Sequence, residues 1–209
     1  MPSGLIKKYK NRQAISRLKR KDKEVFISAY DEYSSEINRF IYFKVGNREE
    51  ANDLTSLVFL KTWNHIQNKS LTEAKTLRAL FYRIARNIIV DHYREKGAKG
   101  GMENLSLDDE NLDLEVVDSS LSEEDILEKV DKEKDLELIK KNLNLLKEEY
   151  REVIIMRFVN DLSPEEIADI SSKSRGAVRV LIHRALKALR ELVEDDLEEK
   201  DLETDLKNA

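Results

Sequence analysis

The sequence predicts an all-α protein of two small helical domains joined by an acidic linker, the second of them a helix-turn-helix domain. Charged residues make up 38% of the 209 residues, with only six Gly and two Pro, a composition that suits helices and disfavours β-sheet. Apolar residues recur at helical spacing on both sides of an acidic stretch that lacks this periodicity. We therefore divide the chain into a basic segment (1–22), a helical domain (23–96), a linker (97–125), the helix-turn-helix domain (126–193) and an acidic tail (194–209).

The first domain is predicted to contain three helices, over about Lys23–Val45, Arg48–His65 and Thr76–Arg94. The third helix is the most informative one. One side of it is apolar, and the opposite side carries arginines and tyrosines, namely Arg78, Tyr82, Arg83, Arg86, Tyr93 and Arg94. Rings interleaved with cations suit single-stranded nucleic acid, whose bases stack and whose backbone is anionic. A solvated helix face, along which the tyrosines lie with only their polar ends in water, explains the pattern equally well.

The second domain contains two predicted helices joined by a tight turn within residues 162–190. Ser163, Pro164 and Glu166 form the sequence signature of a capping box with Pro at the first helical position, and Ser174 can cap the second helix. The second helix has a basic side that suits the major groove of DNA, formed by Arg179, His183, Lys187 and Arg190. A capped helix pair with a solvated basic face is the alternative.

Composition excludes several other function classes. The chain has no Cys, and its three His residues are far apart in sequence, so we predict no disulfide, no metal site and no cofactor. No apolar run is long enough to span a membrane and no signal core is present, so we expect a cytoplasmic protein. No catalytic residues are predicted, because phosphate-binding glycine loops and nucleophile–base pairs at recognisable spacing are missing. The net charge of −5 is unevenly distributed, since residues 1–23 contain nine Lys or Arg and only one acid.

Three segments resemble the extracytoplasmic-function (ECF) group of bacterial RNA polymerase sigma factors. EEANDLTSLVFLKTW (49–63) and LFYRIARNIIVDHYR (80–94) are similar to region 2 of that family. LKEEYREVIIMRF (146–158) and the helix-turn-helix are similar to region 4. The resemblance implies a promoter-recognition subunit that binds core RNA polymerase and promoter DNA and melts DNA without catalysing a reaction.

The resemblance also implies polymerase contacts. Region 2 would dock on the clamp of the largest subunit and region 4 on the flap of the second largest subunit. The matching region 2 positions are Asp53, Leu54, Leu57, Phe59 and Lys61. Ser56 and Leu57 stand where the family usually has Gln-Glu, which changes the polar part of that contact. The linker would pass near the polymerase active-site cleft, although its composition fits a solvated tether as well. An anti-sigma factor as a further partner is left open.

Two sets of DNA-contacting residues follow from the resemblance. The minus-thirty-five element would be read by region 4 residues Arg175, Arg179, Val180, His183, Arg184 and Lys187, with Val180 pointing outward toward a thymine methyl. The minus-ten element would be held by region 2 residues Lys69, Ser70, Arg78, Tyr82, Arg83, Arg86 and Asn87. Leu181 would lose a phosphate contact that the family usually makes. A helix-turn-helix regulator that acts without polymerase, and a helical protein-binding adaptor, are the two alternatives.

Overall fold

A computed structural model describes residues 17–18, 20, 22–68, 76–97 and 142–207, and it describes side chains as far as residue 194. Its elements are α1 (Lys23–Val45), α2 (Arg48–Asn68), α3 (Leu77–Gly97), α4 (Glu148–Ile154), a π-helical segment (Ile155–Val159), α5 (Pro164–Ser171) and α6 (Arg175–Lys207). All these elements are helical, which confirms the predicted fold class. The predicted linker beyond Gly97, most of the basic segment, and the loop with Lys69 and Ser70 lie outside the described residues.

Helices α1 to α3 form a three-helix bundle whose ends are set by local signals. The side chain of Asp22 accepts hydrogen bonds from the amides of Glu24 and Val25 and so caps α1. Gly46 ends α1 in the left-handed region at φ 75°, a conformation that glycine adopts without steric cost. The bundle core is aromatic, with the Phe59 and Phe81 ring centroids 4.6 Å apart. Both α2 and α3 extend about one turn beyond the ends predicted from sequence.

The C-terminal domain contains the predicted helix-turn-helix. The Ser163 side chain accepts a hydrogen bond from the Glu166 amide, and the Glu166 carboxylate accepts one from the Ser163 amide, which confirms the capping box. Ser174 caps α6 by accepting from the Ala177 amide at 3.1 Å. The backbone of the predicted acidic tail continues α6 as far as Lys207, so the helix does not end near residue 193.

The two domains pack against each other within the described residues, an arrangement that the sequence did not predict. Helix α3 contacts α5, and α1 contacts the π-helical segment. This segment gives way to Asn160, whose side-chain amide donates to the backbone oxygen of Glu36 in α1 at 2.8 Å. A π-helical turn shifts the residues that follow it around the helix axis, and such turns are frequent at functional positions. Here the residue that follows the turn links the two domains.

Candidate nucleic-acid interface

The N-terminal half of α6 presents an exposed cationic strip. Arg175 and Lys187 expose 71% and 68% of their side chains, and Arg179 is exposed between them. The carboxylates nearest to the first two are distant, with Arg175 3.6 Å from Glu165 and Lys187 4.0 Å from Glu191. Ion pairs this exposed contribute little, so they cost little to exchange for phosphate contacts. The predicted residues His183 and Arg184 lie half-buried on the same helix.

Val180 is not part of this strip. Its side chain is only 7% exposed and that of Leu181 only 4%, so the prediction that Val180 faces outward is wrong. The reason is that α6 packs against both α4 and α5, which leaves only a narrow arc of the helix open to solvent. A helical wheel drawn from α6 alone does not show how many neighbours cover the helix.

Arginines of α3 lie on one side of the helix as predicted, but that side faces the C-terminal domain. Arg78 donates to the carboxylate of Glu36 at 2.7 Å, to that of Glu166 at 2.9 Å and to the backbone oxygen of Asn160 at 3.0 Å. These contacts use much of the hydrogen-bonding capacity of one guanidinium group. Arg78 therefore has few donors left for DNA in this conformation.

The next two arginines of α3 reach the C-terminal end of α5. Arg83 lies 3.3 Å from the Asp169 carboxylate and donates to the Asp169 backbone oxygen at 3.1 Å. Arg86 pairs with Glu152 of α4 at 2.8 Å and donates to the Ile170 backbone oxygen at 3.4 Å. Carbonyl groups in the last turn of a helix lack partners within the helix and carry partial negative charge. The two guanidinium groups therefore complete α5 from the other domain.

Tyr82 does not offer a ring to nucleic acid in this structure. Its side chain is fully buried, its hydroxyl donates to the Glu36 carboxylate at 2.7 Å, and its ring lies 5.0 Å from that of Phe40. Burial, together with the nearby Glu36 carboxylate, raises the pKa of Tyr82. The predicted exposed stacking surface is therefore wrong at Tyr82. Tyr93 is also engaged, because its hydroxyl donates to the Lys44 backbone oxygen at 2.5 Å.

Lys44 of α1 extends the charged contact between the domains. Its side chain is 3% exposed, pairs with Glu148 and lies 3.9 Å from Glu152. Burial lowers the pKa of Lys44 to about 8, and the Glu152 carboxylate opposes that shift. Burial acts to raise the pKa of Glu152, but the cations Lys44 and Arg86 outweigh it, so this pKa is lowered. We had not assigned Lys44 a role from sequence, because a single lysine at a helix end carries no pattern.

Asn87 differs from the arginines because it stays exposed. It lines an open groove of about 450 Å³ between α2 and α3, together with residues that include Asn64, His65 and Asp91. The amide side chains of Asn64 and Asn87 each supply both hydrogen-bond donors and acceptors. This groove lies outside the interdomain contacts described above.

The predicted polymerase-binding residues of α2 divide into two groups. Asp53 and Lys61 are exposed and Leu57 is partly exposed, whereas Leu54 and Phe59 expose only 8% and 4% and belong to the bundle core. The prediction of a surface role for Leu54 and Phe59 is therefore wrong, because both face α1 and α3. Sequence reasoning missed Leu60, which is 57% exposed and lies one turn from Leu57 on the same side of α2. Its apolar character in an otherwise polar, exposed arc was the available signal.

Two further classes of site were searched for in the described residues. Among them, no cluster of three or more His, Asp or Glu side chains is arranged to hold a metal ion. None of the described helices is long and apolar enough to cross a membrane.

Comparison with known proteins decides the family. Residues 29–99 match the family Sigma-70 region 2, and residues 136–189 match the family Sigma-70, region 4. The chain is 30% identical over 184 residues to the ECF RNA polymerase sigma factor BldN of Streptomyces coelicolor, covering 88% of this chain and 66% of BldN. It is 27% identical over 190 residues to the ECF RNA polymerase sigma factor SigW of Bacillus subtilis, covering 88% of this chain and 97% of SigW. The chain belongs to the ECF sigma factors.

Solved sigma factor structures share the fold. CnrH, solved in complex with the cytosolic domain of CnrY, is similar with a TM-score of 0.62 and 18% identity, over 89% of this chain and 98% of CnrH. The sigma factor RpoE of Bartonella quintana, solved with the anti-sigma factor NepR, has a TM-score of 0.55 and 21% identity, over 81% of this chain and 96% of that chain. In this sigma factor α1 to α3 belong to region 2, and α4, α5 and the first half of α6 belong to region 4. The ion pairs between the domains therefore join region 2 to region 4.

Proposed function

We propose that this sigma factor binds core RNA polymerase in the cytoplasm, directs it to promoters with minus-thirty-five and minus-ten elements, and promotes DNA melting without catalysing a reaction. The observation that carries the proposal is the presence of both sigma-70 regions in one chain, each with cationic side chains on a helix of the type that its DNA contact needs. We assign no catalytic residue, since neither DNA contact involves bond chemistry.

The minus-thirty-five element is assigned to α6. Arg175 and Arg179 lie in the first two turns, the part of a recognition helix that reaches base edges in the major groove. Lys187 lies further along, where a cation meets phosphates rather than bases. His183 and Arg184 complete the set, and Val180 is withdrawn from it because it is buried.

Asn87 and the groove beside it are assigned to the minus-ten element. The groove is accessible in this structure and is lined by amide, imidazole and carboxylate groups, which suit the polar edge of an extruded base. Base contacts of this kind specify sequence, whereas contacts to phosphates only position the strand. Arg78, Arg83 and Arg86 fit the second task but need to be released from their carboxylates first. Tyr82 is withdrawn as a stacking residue.

The polymerase contact is assigned to the exposed side of α2. Leu57 and Leu60 form a small apolar patch flanked by Asp53 and Lys61. An apolar centre with a charged rim is the usual organisation of a protein interface. Leu60 takes the place of Leu54 and Phe59 in this assignment.

Run-off transcription with purified core polymerase on a genomic fragment library tests the proposed function. We expect promoter-specific transcripts only when the sigma factor is added, and their absence would overturn the proposal. Arg179→Glu should lower transcript yield at promoters that depend on the upstream element, since it reverses a base-reading charge. Arg190→Glu makes the same charge change about 16 Å further along α6 and serves as the matched control.

A second measurement tests the polymerase contact alone. Leu60→Asp should weaken association with core polymerase, because it places a charge in the centre of the apolar patch. Leu145→Asp is the control, since Leu145 is 62% exposed and lies outside α2. Equal affinities of the two variants would refute the assignment of this surface.

A further inference from the structure

Four cations of region 2 face four carboxylates of region 4. We call the first set the cationic face (Lys44, Arg78, Arg83 and Arg86) and the second set the acidic face (Glu148, Glu152, Glu166 and Asp169). Each cation lies within 4.0 Å of at least one carboxylate of the other domain. Three of the cations were predicted from sequence as minus-ten contacts.

We propose that the free sigma factor is self-inhibited, with the acidic face of region 4 bound to the cationic face of region 2 in place of the phosphates of a DNA strand. This inference rests on the proposed function, which gives the cationic face its DNA-binding role. Carboxylates and backbone carbonyl oxygens are acceptors that a guanidinium group binds as it binds phosphate oxygens. A DNA strand and the acidic face therefore compete for the same donors.

Burial shows that the two contacts exclude each other. The side chains of Lys44, Arg78 and Arg86 are only 3%, 16% and 22% exposed, so a phosphate cannot reach them unless the domains separate. The acidic face also involves more than side chains, because Arg83 and Arg86 bind the Asp169 and Ile170 backbone oxygens at the negative end of α5. Chance contact between two charged surfaces would not be expected to place two guanidinium groups on consecutive terminal carbonyls.

The distance between promoter elements leads to the same conclusion. Elements named for positions minus thirty-five and minus ten lie about 25 base pairs apart, on the order of 85 Å along duplex DNA. In this structure Arg83 of α3 is 3.3 Å from Asp169 of α5, the first helix of the helix-turn-helix. The closed arrangement therefore cannot engage both elements, and opening is required for promoter recognition.

Fluorescence energy transfer tests the closed state directly. The chain has no Cys, so Asp31→Cys in α1 and Glu191→Cys in α6 provide unique dye sites at exposed positions. We expect high transfer in the free protein and lower transfer in the double variant Glu152→Gln/Asp169→Asn, which removes two charges of the acidic face. Transfer that is the same in both proteins would overturn the inference.

Binding of a fluorescein-labelled oligothymidine 12-mer, measured without dyes on the protein and without polymerase, tests the competition. The Glu152→Gln/Asp169→Asn variant should bind the strand about fivefold or more tightly than the unmodified protein, in the usual range of coupling between sites. Glu165→Gln/Glu194→Gln is the matched control, since it removes two exposed carboxylates from the same domain and changes net charge equally. Equal gains in the two variants would reduce the effect to net charge and refute the proposal.

Arg86→Gln keeps the test independent of misfolding. It breaks the contact from the region 2 side, so transfer should fall while strand binding does not improve, because the same residue is lost to DNA. If Arg86→Gln instead tightens strand binding, the cationic face is not the DNA site and the inference fails. Loss of transcription with an intact closed state would count against the proposed function alone.

Discussion

A double-mutant cycle between Arg78 and Glu166 measures the interdomain contact in free-energy terms. The Arg78 Nη1 and Glu166 Oε1 atoms are 2.9 Å apart, and the two side chains are 16% and 35% exposed. A charge-assisted hydrogen bond contributes about 1.5–3 kcal/mol when desolvated. Partial exposure of Glu166 reduces this figure, so we expect a coupling energy of about 1 kcal/mol. Arg78→Met alone should cost about 3 kcal/mol, because the half-buried Glu36 carboxylate loses its cation as well.

Urea unfolding followed by the fluorescence of Trp63 is the appropriate assay. Trp63 is the only Trp in the chain and lies in region 2, where its ring centroid is 4.9 Å from that of Phe26. A substitution in region 4 alters this signal only if region 4 supports region 2. The variants are Arg78→Met, Glu166→Gln and their combination, and the cycle cancels the separate role of Glu166 in the α5 capping box.

Glu165→Gln in combination with Arg78→Met is the control cycle. Glu165 neighbours Glu166 in sequence, but it is exposed and pairs only with Arg175 at 3.6 Å. Substitutions that do not interact are additive within about 0.3–0.5 kcal/mol. A coupling energy between Arg78 and Glu166 inside that range would refute the interdomain ion pair.

Three further predictions concern helix ends and pH. Ser163→Ala should lower stability by about 1 kcal/mol through loss of the α5 cap, seen as a lower thermal unfolding midpoint, and an unchanged midpoint would contradict the capping box. Gly46→Ala should destabilise by about 1 kcal/mol because φ is 75° there, whereas Gly176→Ala inside α6 should be neutral or stabilising, and shifts of the same sign would contradict this backbone reading. The lowered pKa values of Glu152 and Glu166 imply that their stabilisation is present above about pH 4.5, the ordinary value, and is lost as pH falls through the lowered values. Unfolding free energy measured from pH 6 to pH 3 should therefore fall, less steeply in Glu152→Gln, and identical slopes would show that the interface does not hold the carboxylate ionised.

Local signals explain which parts of the fold were predictable from sequence. Helix starts at Ser163 and Ser174 and the break at Gly46 were predicted because a cap or a left-handed glycine acts within four residues. The length of α6 was not predicted, since the acidic composition after residue 193 suggested a separate tail. No Gly or Pro follows Gly176 in the sequence, so nothing in the chain interrupts that helix.

The environment of the candidate site was not predictable in the same way. Helical periodicity placed the arginines on one side of α3 correctly, because that relation depends only on spacing. What covers that side depends on residues far away in sequence, since Arg83 meets Asp169 and Arg86 meets Glu152. The same limitation produced the errors at Tyr82 and Val180, which are covered rather than exposed.

The closed state gives the acidic face a quantitative role in promoter binding. When only a fraction of molecules is open, the apparent affinity for DNA falls by that fraction, so about 1% open corresponds to about 100-fold weaker binding. That ratio equals roughly 2.7 kcal/mol, which two or three ion pairs as buried as Arg78–Glu166 supply. Substitutions in the acidic face change the open fraction without altering any DNA contact, whereas substitutions of Arg83 or Arg86 change both. Residues of region 4 that never touch the minus-ten element therefore set how readily region 2 reaches it.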